Sequence, residues 1–250
     1  MSVAAGIQIP TSHLDPVNAK ILAISEDQIQ GFKPEPFRVI SELSGVPLEE
    51  LLLRLRAMLE AGTIRRIRQT LITTSLAEGA LVAWQIPENR LDFAFDFLLR
   101  EDPFSGHIVI RSTDAQIPGA SYKLWTTLKV PVGLSIEEHC RILQHFISAT
   151  AFRIMPARGI FVLGVGHTRR RRLKPGDKAP KPAQMTPVQT IRLTDEQWRL
   201  LSVLKREFAS DEIREPAWAG RAEELGLPLN KFYSEVEKLN NLGILGRFST

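Results

Sequence analysis

The chain has 250 residues, 44% of them hydrophobic and 24% charged, with a formal net charge of +4. That length holds one large domain or two to three small ones and can bury a real core. No apolar run approaches the ~20 residues of a membrane helix, no basic segment followed by an apolar stretch opens the chain, and the single cysteine, Cys140, excludes an intrachain disulfide, so a cytoplasmic protein without a membrane span is expected.

The positive charge is local. Between Thr168 and Lys181 there are seven basic residues and one acid, Asp177, an excess of +6 that leaves the remainder at −2. No field covers the whole protein, so net charge alone does not make it a nucleic-acid binder. The run 169–172 reads either as a solvated linker edge or as a contact for phosphate or a polycarboxylate.

In chain order, residues 1–18 read as a loose leader, 20–28 as a short helix and 34–44 as a second, where Pro36 can stand at the start because its missing N–H costs nothing there. Gly45, Val46 and Pro47 turn the chain. Leu48, Leu51, Leu52, Leu55, Met58 and Leu59 then recur at helical spacing, and Gly62 stops that helix. Residues 63–74, with Ile64, Ile67, Leu71 and Ile72, predict the strands of a wing. Three short helices and a wing make a winged helix-turn-helix, here at 19–74.

A different rhythm follows. Residues 80–86 predict a buried strand in which Trp84 is a core or interface aromatic, and 89–100 a helix with Phe93 and Phe97 on one face. Residues 106–112 and 124–130 read as strands. A helix at 136–148 opens on Ser135 with Glu138 three residues later. The last strand material is 152–155 and 160–166, broken at 156–159. The order βαββαβ is the ferredoxin-like arrangement, at 78–167. Its helices cover one side of the sheet, and the other side is left for a partner or a ligand.

After a basic linker at 168–190, the first pattern returns at 191–250. A helix at 193–208 is opened by Thr194, a second lies at 216–225, a turn at 226–228 and a third helix at 229–242, stopped by Gly243. Sliding the first unit by 181 positions puts Phe37 on Trp218, Gly45 on Gly226, Pro47 on Pro228, Leu48 on Leu229, Gly62 on Gly243 and Arg66 on Arg247. Shared turn and stop positions point to duplication. The fold class expected is therefore α+β: winged helix-turn-helix, ferredoxin-like domain, second winged-helix-type domain.

The chain has no glycine-rich phosphate loop, paired-cysteine metal site or HExxH. His139 and His145 flank Cys140 six residues apart, not the three or four that stack on a helix, so surface histidines are expected rather than zinc ligands. Asp92, Asp96, Glu101 and Asp102 read as a solvated helix and its exit. His107, Arg111, Tyr122, Lys123 and Trp125 are more informative. His107, Val109 and Arg111 alternate to one side of a strand, with Ile108 and Ile110 on the other. A histidine can move a proton near neutral pH, and an arginine can hold a carboxylate through two hydrogen bonds. Tyr122 and Trp125 offer a flat wall, suited to a macrocycle. A purely structural role for His107 stays open. In the winged-helix units the third helix would enter a major groove. It opens Leu48-Glu49-Glu50 in the first, with Arg54 and Arg56 further on, and Leu229-Asn230-Lys231 in the second. Arg65, Arg66 and Arg68 are the candidate DNA or phosphate contacts.

This layout resembles the Lrp/AsnC superfamily and, within it, the siroheme decarboxylase family. The resemblance rests on Pro36-Phe37, Gly62-Thr63-Ile64-Arg65-Arg66-Ile67, Leu81-Val82-Ala83-Trp84, His107-Ile108-Val109-Ile110-Arg111, Lys123-Leu124-Trp125 and Pro156-Ala157-Arg158-Gly159-Ile160-Phe161, across most of 20–166. It implies removal of carboxyl groups from two acetate side chains of siroheme to give didecarboxysiroheme on an alternative heme or heme d1 route. It also implies paired subunits, as a homodimer or a heteromer with a related subunit, or fused modules. By match to the family, His107 is the active-site histidine and Arg111 the arginine beside it; on that footing His107 is the candidate proton donor, Arg111 and Arg158 bind carboxylates, and Tyr122, Lys123 and Trp125 are the further substrate-binding candidates. No separate cofactor is implied, since the iron arrives within the substrate, and no metal site beyond a contact of His107 to that iron. Val109 stands where the family carries an aromatic. The chain ends after the second winged-helix unit, where a fused enzyme would carry another ferredoxin-like domain, so a completing subunit, a truncated chain or a noncatalytic member is expected. The alternative is an Lrp/AsnC-like transcriptional regulator whose ferredoxin-like domain dimerises and senses a ligand; a structural adaptor is the third reading.

Overall fold

A computed structural model describes residues 9–72, 76–161, 174–177, 185–188 and 190–250. The expectations placed on 169–172 lie outside them. Contacts divide the chain into two compact units: the first gathers the described residues of both ends, 9–72 and 193–250, and the second is built on 76–161 with 185–188 and 190–192.

The first unit opens with α1 (Pro16–Ser25), which starts four residues before the expected helix because Asp15 caps it. The Asp15 carboxylate accepts from the amides of Val17 and Asn18, at 3.0 Å each, and Pro16 follows at the first helical position. Then come β1 (Ile29–Gln30), α2 (Pro36–Ser44), α3 (Leu48–Glu60) and β2 (Arg68–Leu71). The second unit contributes β3 (Glu78–Gln85), α4 (Leu91–Arg100), β4 (Ser105–Ile110), β5 (Leu124–Val130), α5 (Ile136–Phe146), β6 (Ala151–Pro156), β7 (Gly159–Phe161) and β8 (Met185–Pro187). The chain returns to the first unit with α6 (Asp195–Leu204), α7 (Ala219–Glu224), α8 (Leu229–Asn241) and β9 (Leu245–Ser249).

The duplication is written in the backbone. The third helices α3 and α8 are both 13 residues long and begin after Pro47 and Pro228, whose φ and ψ are −53° and 140° in one and −57° and 140° in the other. The turn glycines Gly45 and Gly226 have φ of 69° and 66°, and the stop glycines Gly62 and Gly243 have 73° and 71°. That left-handed region is closed to most side chains and open to glycine, which is why these four positions are matched between the repeats.

The two winged-helix segments nevertheless share one sheet and one core. The strand order is β1-β9-β2, so the C-terminal strand runs antiparallel between two strands of the N-terminal segment: Ile29 faces Phe248 and Gln69 faces Phe248 from the other side. The wing expected as a local feature of 63–74 is thus completed from the far end of the chain. The sharing is reciprocal: the Phe208 amide donates to the Ile67 carbonyl at 2.7 Å and the Trp218 indole N–H to the Lys33 carbonyl at 2.9 Å, while Arg56 of the first segment donates to the Ile213 carbonyl of the second at 2.6 and 3.0 Å. Phe37, Leu51, Leu55, Met58, Trp218, Phe232, Val236 and Phe248 are all buried in the common core. Arg221, 1% exposed, donates to the Val203, Leu204 and Glu207 carbonyls at the end of α6 and lies under the rings of Phe208 and Trp218. This supplies donors to carbonyls at the C-terminal end of α6, which the helix itself leaves unpaired.

In the second unit the sheet order is β4-β5-β3-β6, all antiparallel, with α4 and α5 packed on one face, as in a ferredoxin-like fold. Trp84 is a core residue: it is fully buried, and its indole N–H donates to Thr126 Oγ1 at 3.1 Å. Val82, Leu98, Leu124, Leu128, Leu143 and Ile147 surround it. β7 pairs with β8 as a separate two-stranded ribbon rather than extending β6; 162–166 lie outside the described residues.

Candidate active site

Alternation along the four strands separates a core face from an open one. Ala80, Val82 and Trp84 of β3, Leu124 and Leu128 of β5, Ile108 of β4 and Phe152 and Ile154 of β6 pack with the helices. Trp125 faces Val109 on one side and Ala83 on the other, so these lie in one row on the open face. Arg111 follows Val109 by two positions and comes to the same face. Its amide donates to the Lys123 carbonyl at 2.8 Å, and its guanidinium stands over the Trp125 ring, 4.5 Å from the centroid. The indole is fixed in turn, since its N–H donates to the Tyr122 carbonyl at 2.6 Å. A guanidinium stacked on an aromatic face keeps its in-plane donors free for a planar anion.

His107, two positions before Val109, shares this face and stands at an irregularity of the ladder. The ladder between β4 and β5 shifts between Ser105 and Ile108, so that Gly106 and His107 share the single opposing residue Thr127. The His107 amide donates to Thr127 Oγ1 at 2.8 Å. A Cβ on Gly106 would fall 2.8 Å from the same oxygen, so glycine is required where the backbone closes on Thr127. The imidazole of His107 is exposed, one register step from Val109 and two from Arg111.

The other sequence-selected residues divide. Tyr122 contributes the carbonyl that holds Trp125. Lys123 is engaged by Glu88, with Nζ 2.5 Å from Oε2. Arg158 is exposed in the turn between β6 and β7, beyond the opposite edge strand and at the other end of the sheet from Arg111. Arg153, which sequence reading passed over, stands on the open face: it pairs in register with Ala83, between the core-facing Phe152 and Ile154. The alternation within 151–156 was the signal for it. On the same face, burial holds the Lys129 ammonium below its ordinary range.

On the helix side, Asp102 departs from the solvated role expected of it. Its side chain is 1% exposed, and Oδ1 lies 2.9 Å from His139 Nε2. His139 is thereby drawn half into the helix layer, its ring edge-on to Phe104. Cys140 is fully buried, and burial, with the Asp102 and Glu137 carboxylates nearby, pushes its thiol up to about 12.

The winged-helix segments offer little to phosphate. On α3, Glu49, Leu53 and Glu60 are exposed, whereas Arg54 is turned to Asp15, Asn18 and Glu50 and Arg56 to the Ile213 carbonyl. Arg65 is exposed, Arg66 lies 3.7 Å from Glu207, and Arg68 is half-buried in β2. No helix among the described residues is long and apolar enough to cross a membrane.

No protein-family model matches the chain. It is 28% identical over 165 residues to the siroheme decarboxylase alpha subunit of Oleidesulfovibrio alaskensis, covering 64% of this chain and 92% of that one. It is 28% identical over 160 residues to the alpha subunit of the same name from Nitratidesulfovibrio vulgaris, covering 62% and 83%. In fold it is similar to the siroheme decarboxylase NirDL solved with an iron-uroporphyrin III analogue, with a TM-score of 0.67 and 21% identity over 93% of this chain. The chain spans 65% of the length of that solved chain. A second NirDL structure gives a TM-score of 0.66 at 22% identity. The chain is thus similar in sequence to siroheme decarboxylase alpha subunits and has the winged-helix and ferredoxin-like fold.

Proposed function

We propose that the chain binds a siroheme-type tetrapyrrole against the open face of the ferredoxin-like sheet and acts as a siroheme decarboxylase or as one subunit of one. The observation that carries this reading is the Arg111 guanidinium held over Trp125 on the same sheet face as His107. The indole supplies a flat apolar wall for the macrocycle, Arg111 a two-point carboxylate anchor, and His107 a proton. The relatives' descriptions as siroheme decarboxylase support the same substrate class.

The chemistry constrains the roles. When an acetate side chain loses CO2, the C–C bonding pair stays on the methylene carbon and delocalises into the macrocycle; a proton delivered by His107 to that carbon then leaves a methyl group. The departing carboxylate loses its charge, so a guanidinium clamped on that group would stabilise the reactant more than the transition state and slow the step. Arg111 is therefore assigned to a carboxylate that is not reacting, where it orients the ring. Removal of carboxyl groups from two acetates requires the ring to be re-presented after the first loss. The iron belongs to the substrate. A completing copy or related subunit over the open face would exclude water.

Anaerobic titration of the purified chain with siroheme, followed by mass analysis of the pigment, tests this reading. A shifted absorption spectrum with loss of two CO2 per siroheme is expected of the enzyme, and binding without mass loss is expected of a subunit that needs its partner. No spectral response would overturn the proposal.

A further inference from the structure

We infer that Arg153 is a specificity-determining residue of this site, holding acid groups on the rim of a flat polycarboxylate opposite to the rim held by Arg111. The inference rests on the tetrapyrrole reading and adds to it which macrocycles the face selects.

The register carries the argument. Val109, Trp125, Ala83 and Arg153 form one row across β4, β5, β3 and β6. Arg153 is exposed, and among the described residues no carboxylate pairs with it. Between Trp125 and Arg153 the row carries only the small residue Ala83, which is 3% exposed, so the indole and the guanidinium are the row's prominent groups. The adjacent row supplies Leu81 and Met155, an apolar floor continuous with Ala83. Arginines thus stand at both edges of this face, with Trp125, Leu81 and Met155 between them and Lys129 further along β5.

At ~4.8 Å per strand and ~3.4 Å per residue, the backbone positions of Arg111, two residues beyond Val109, and Arg153 on β6 are separated by about 16 Å. Two arginine arms across that span fit a rigid disc that carries carboxylates on opposite sides. An anion with a single acid group, or with two side by side, engages one end of the row and leaves the other guanidinium in water. Each guanidinium–carboxylate pair is a charge-assisted hydrogen bond in a partly apolar setting, so loss of one anchor costs about ten-fold or more in affinity. The distribution of acid groups around the ring, rather than their presence, is then what Arg153 reads.

The experiment is equilibrium titration of the full chain, followed by absorption, with two probes. Iron uroporphyrin III carries carboxylates on all sides of the ring, and iron protoporphyrin IX carries both of its carboxylates on one side. Arg153→Gln is expected to weaken the uroporphyrin complex about ten-fold or more and to leave the protoporphyrin complex within about two-fold, whereas Arg111→Gln weakens both. Arg153→Lys, which keeps the charge without the planar fork, should recover part of the loss. Unchanged thermal midpoint and sedimentation in both Arg153 variants exclude a folding defect. Uroporphyrin affinity unchanged in Arg153→Gln, or equal weakening of both probes, would overturn the role of Arg153 and leave the tetrapyrrole reading standing. Failure of the unmodified chain to bind either probe would remove that reading, and this inference with it.

Discussion

Phe37 and Trp218, equivalent positions of the two repeats 181 residues apart, both meet the ring of Phe248 edge-on, with centroids 5.5 and 6.0 Å away. Both also pack against Phe208. The repeats are therefore two halves of one core, joined by a strand five residues long at the end of the chain. Phe248→Ala should cost ~3–5 kcal/mol, the loss expected for a fully buried aromatic. Deletion of 245–250 should unfold α1, α2 and α3 together with α6, α7 and α8. Far-UV circular dichroism on heating reads this: loss of helix confined to one repeat's share would show that the two halves are independent.

A second link between the halves is electrostatic. Glu215 Oε1 accepts from the amides of Phe37 and Arg38 at the start of α2, at 3.0 and 3.1 Å, and Oε2 accepts from the Ala217 amide at 2.9 Å. A residue of the second repeat thus caps a helix of the first, where Glu35 makes no side-chain cap bond of its own. Glu215→Ala should lower stability by ~1–2 kcal/mol at neutral pH. Burial, opposed by these amides and aided by nearby Glu35, raises the Glu215 carboxyl above its ordinary 4.5. A folded-state value above the unfolded one means that the folded form takes up the proton more readily. The resulting stability is fully present below 4.5 and is lost as pH rises through the folded value. The stability of the unmodified chain relative to Glu215→Gln should therefore fall as pH is raised from 4.5 towards neutrality. Denaturant midpoints at a series of pH values give the slope, and a rising difference would contradict the sign.

What the sequence disclosed follows from how local each signal is. Gly45, Gly62, Gly226 and Gly243 are legible because a left-handed turn leaves few other choices, and Pro47 and Pro228 because they fix a helix start. The pairing of β9 with β1 and β2 is not legible, because strand partners are chosen by a fit between segments nearly the whole chain apart, which no periodicity encodes. The same holds for Lys123, whose engagement with Glu88 is a contact between separate elements. Asp102 looked solvated because it follows a charged helix exit, yet the turn after α4 folds it under His139. At the candidate site, alternation was enough to find one face of β4, and the same rule applied to β6 would have found Arg153. The bulge was half visible: Gly106 in a strand signals a close backbone approach, but its cause, Thr127, lies on another strand.

That bulge makes Thr127 a positioning residue. Its hydroxyl accepts the His107 amide and so fixes the backbone from which the imidazole projects at the irregular end of β4. Thr127→Val should leave fold and pigment affinity nearly unchanged while single-turnover decarboxylation falls by ~10-fold or more, since small misplacements of a proton donor are costly. Thr127→Ser, which keeps the hydroxyl, should restore most of the rate. A merely structural role predicts the reverse split: lost stability with unchanged turnover per folded molecule.

Arg111 gives the sharpest test. If it clamps a carboxylate while lying on Trp125, replacement by lysine preserves the charge but loses both the planar fork and the stacking surface. Arg111→Lys should keep the fold and some pigment affinity, while decarboxylation falls by ~10-fold or more, as expected from loss of one charge-assisted hydrogen bond of ~1.5–3 kcal/mol. His107→Ala should instead act on proton delivery, with pigment binding largely retained. The two effects are separable because Arg111 acts on the ring's orientation and His107 on the carbanion-like carbon that remains after CO2 leaves. A sheet-edge or interface role for Arg111 makes a different forecast, in which the lysine variant changes sedimentation or thermal stability in step with turnover. Sedimentation, siroheme affinity and single-turnover decarboxylation measured in parallel on Arg111→Lys distinguish the cases. Unaltered turnover in a properly assembled Arg111→Lys protein would rule out the clamp, and a fall in turnover that simply tracks a fall in assembly would assign Arg111 to the interface.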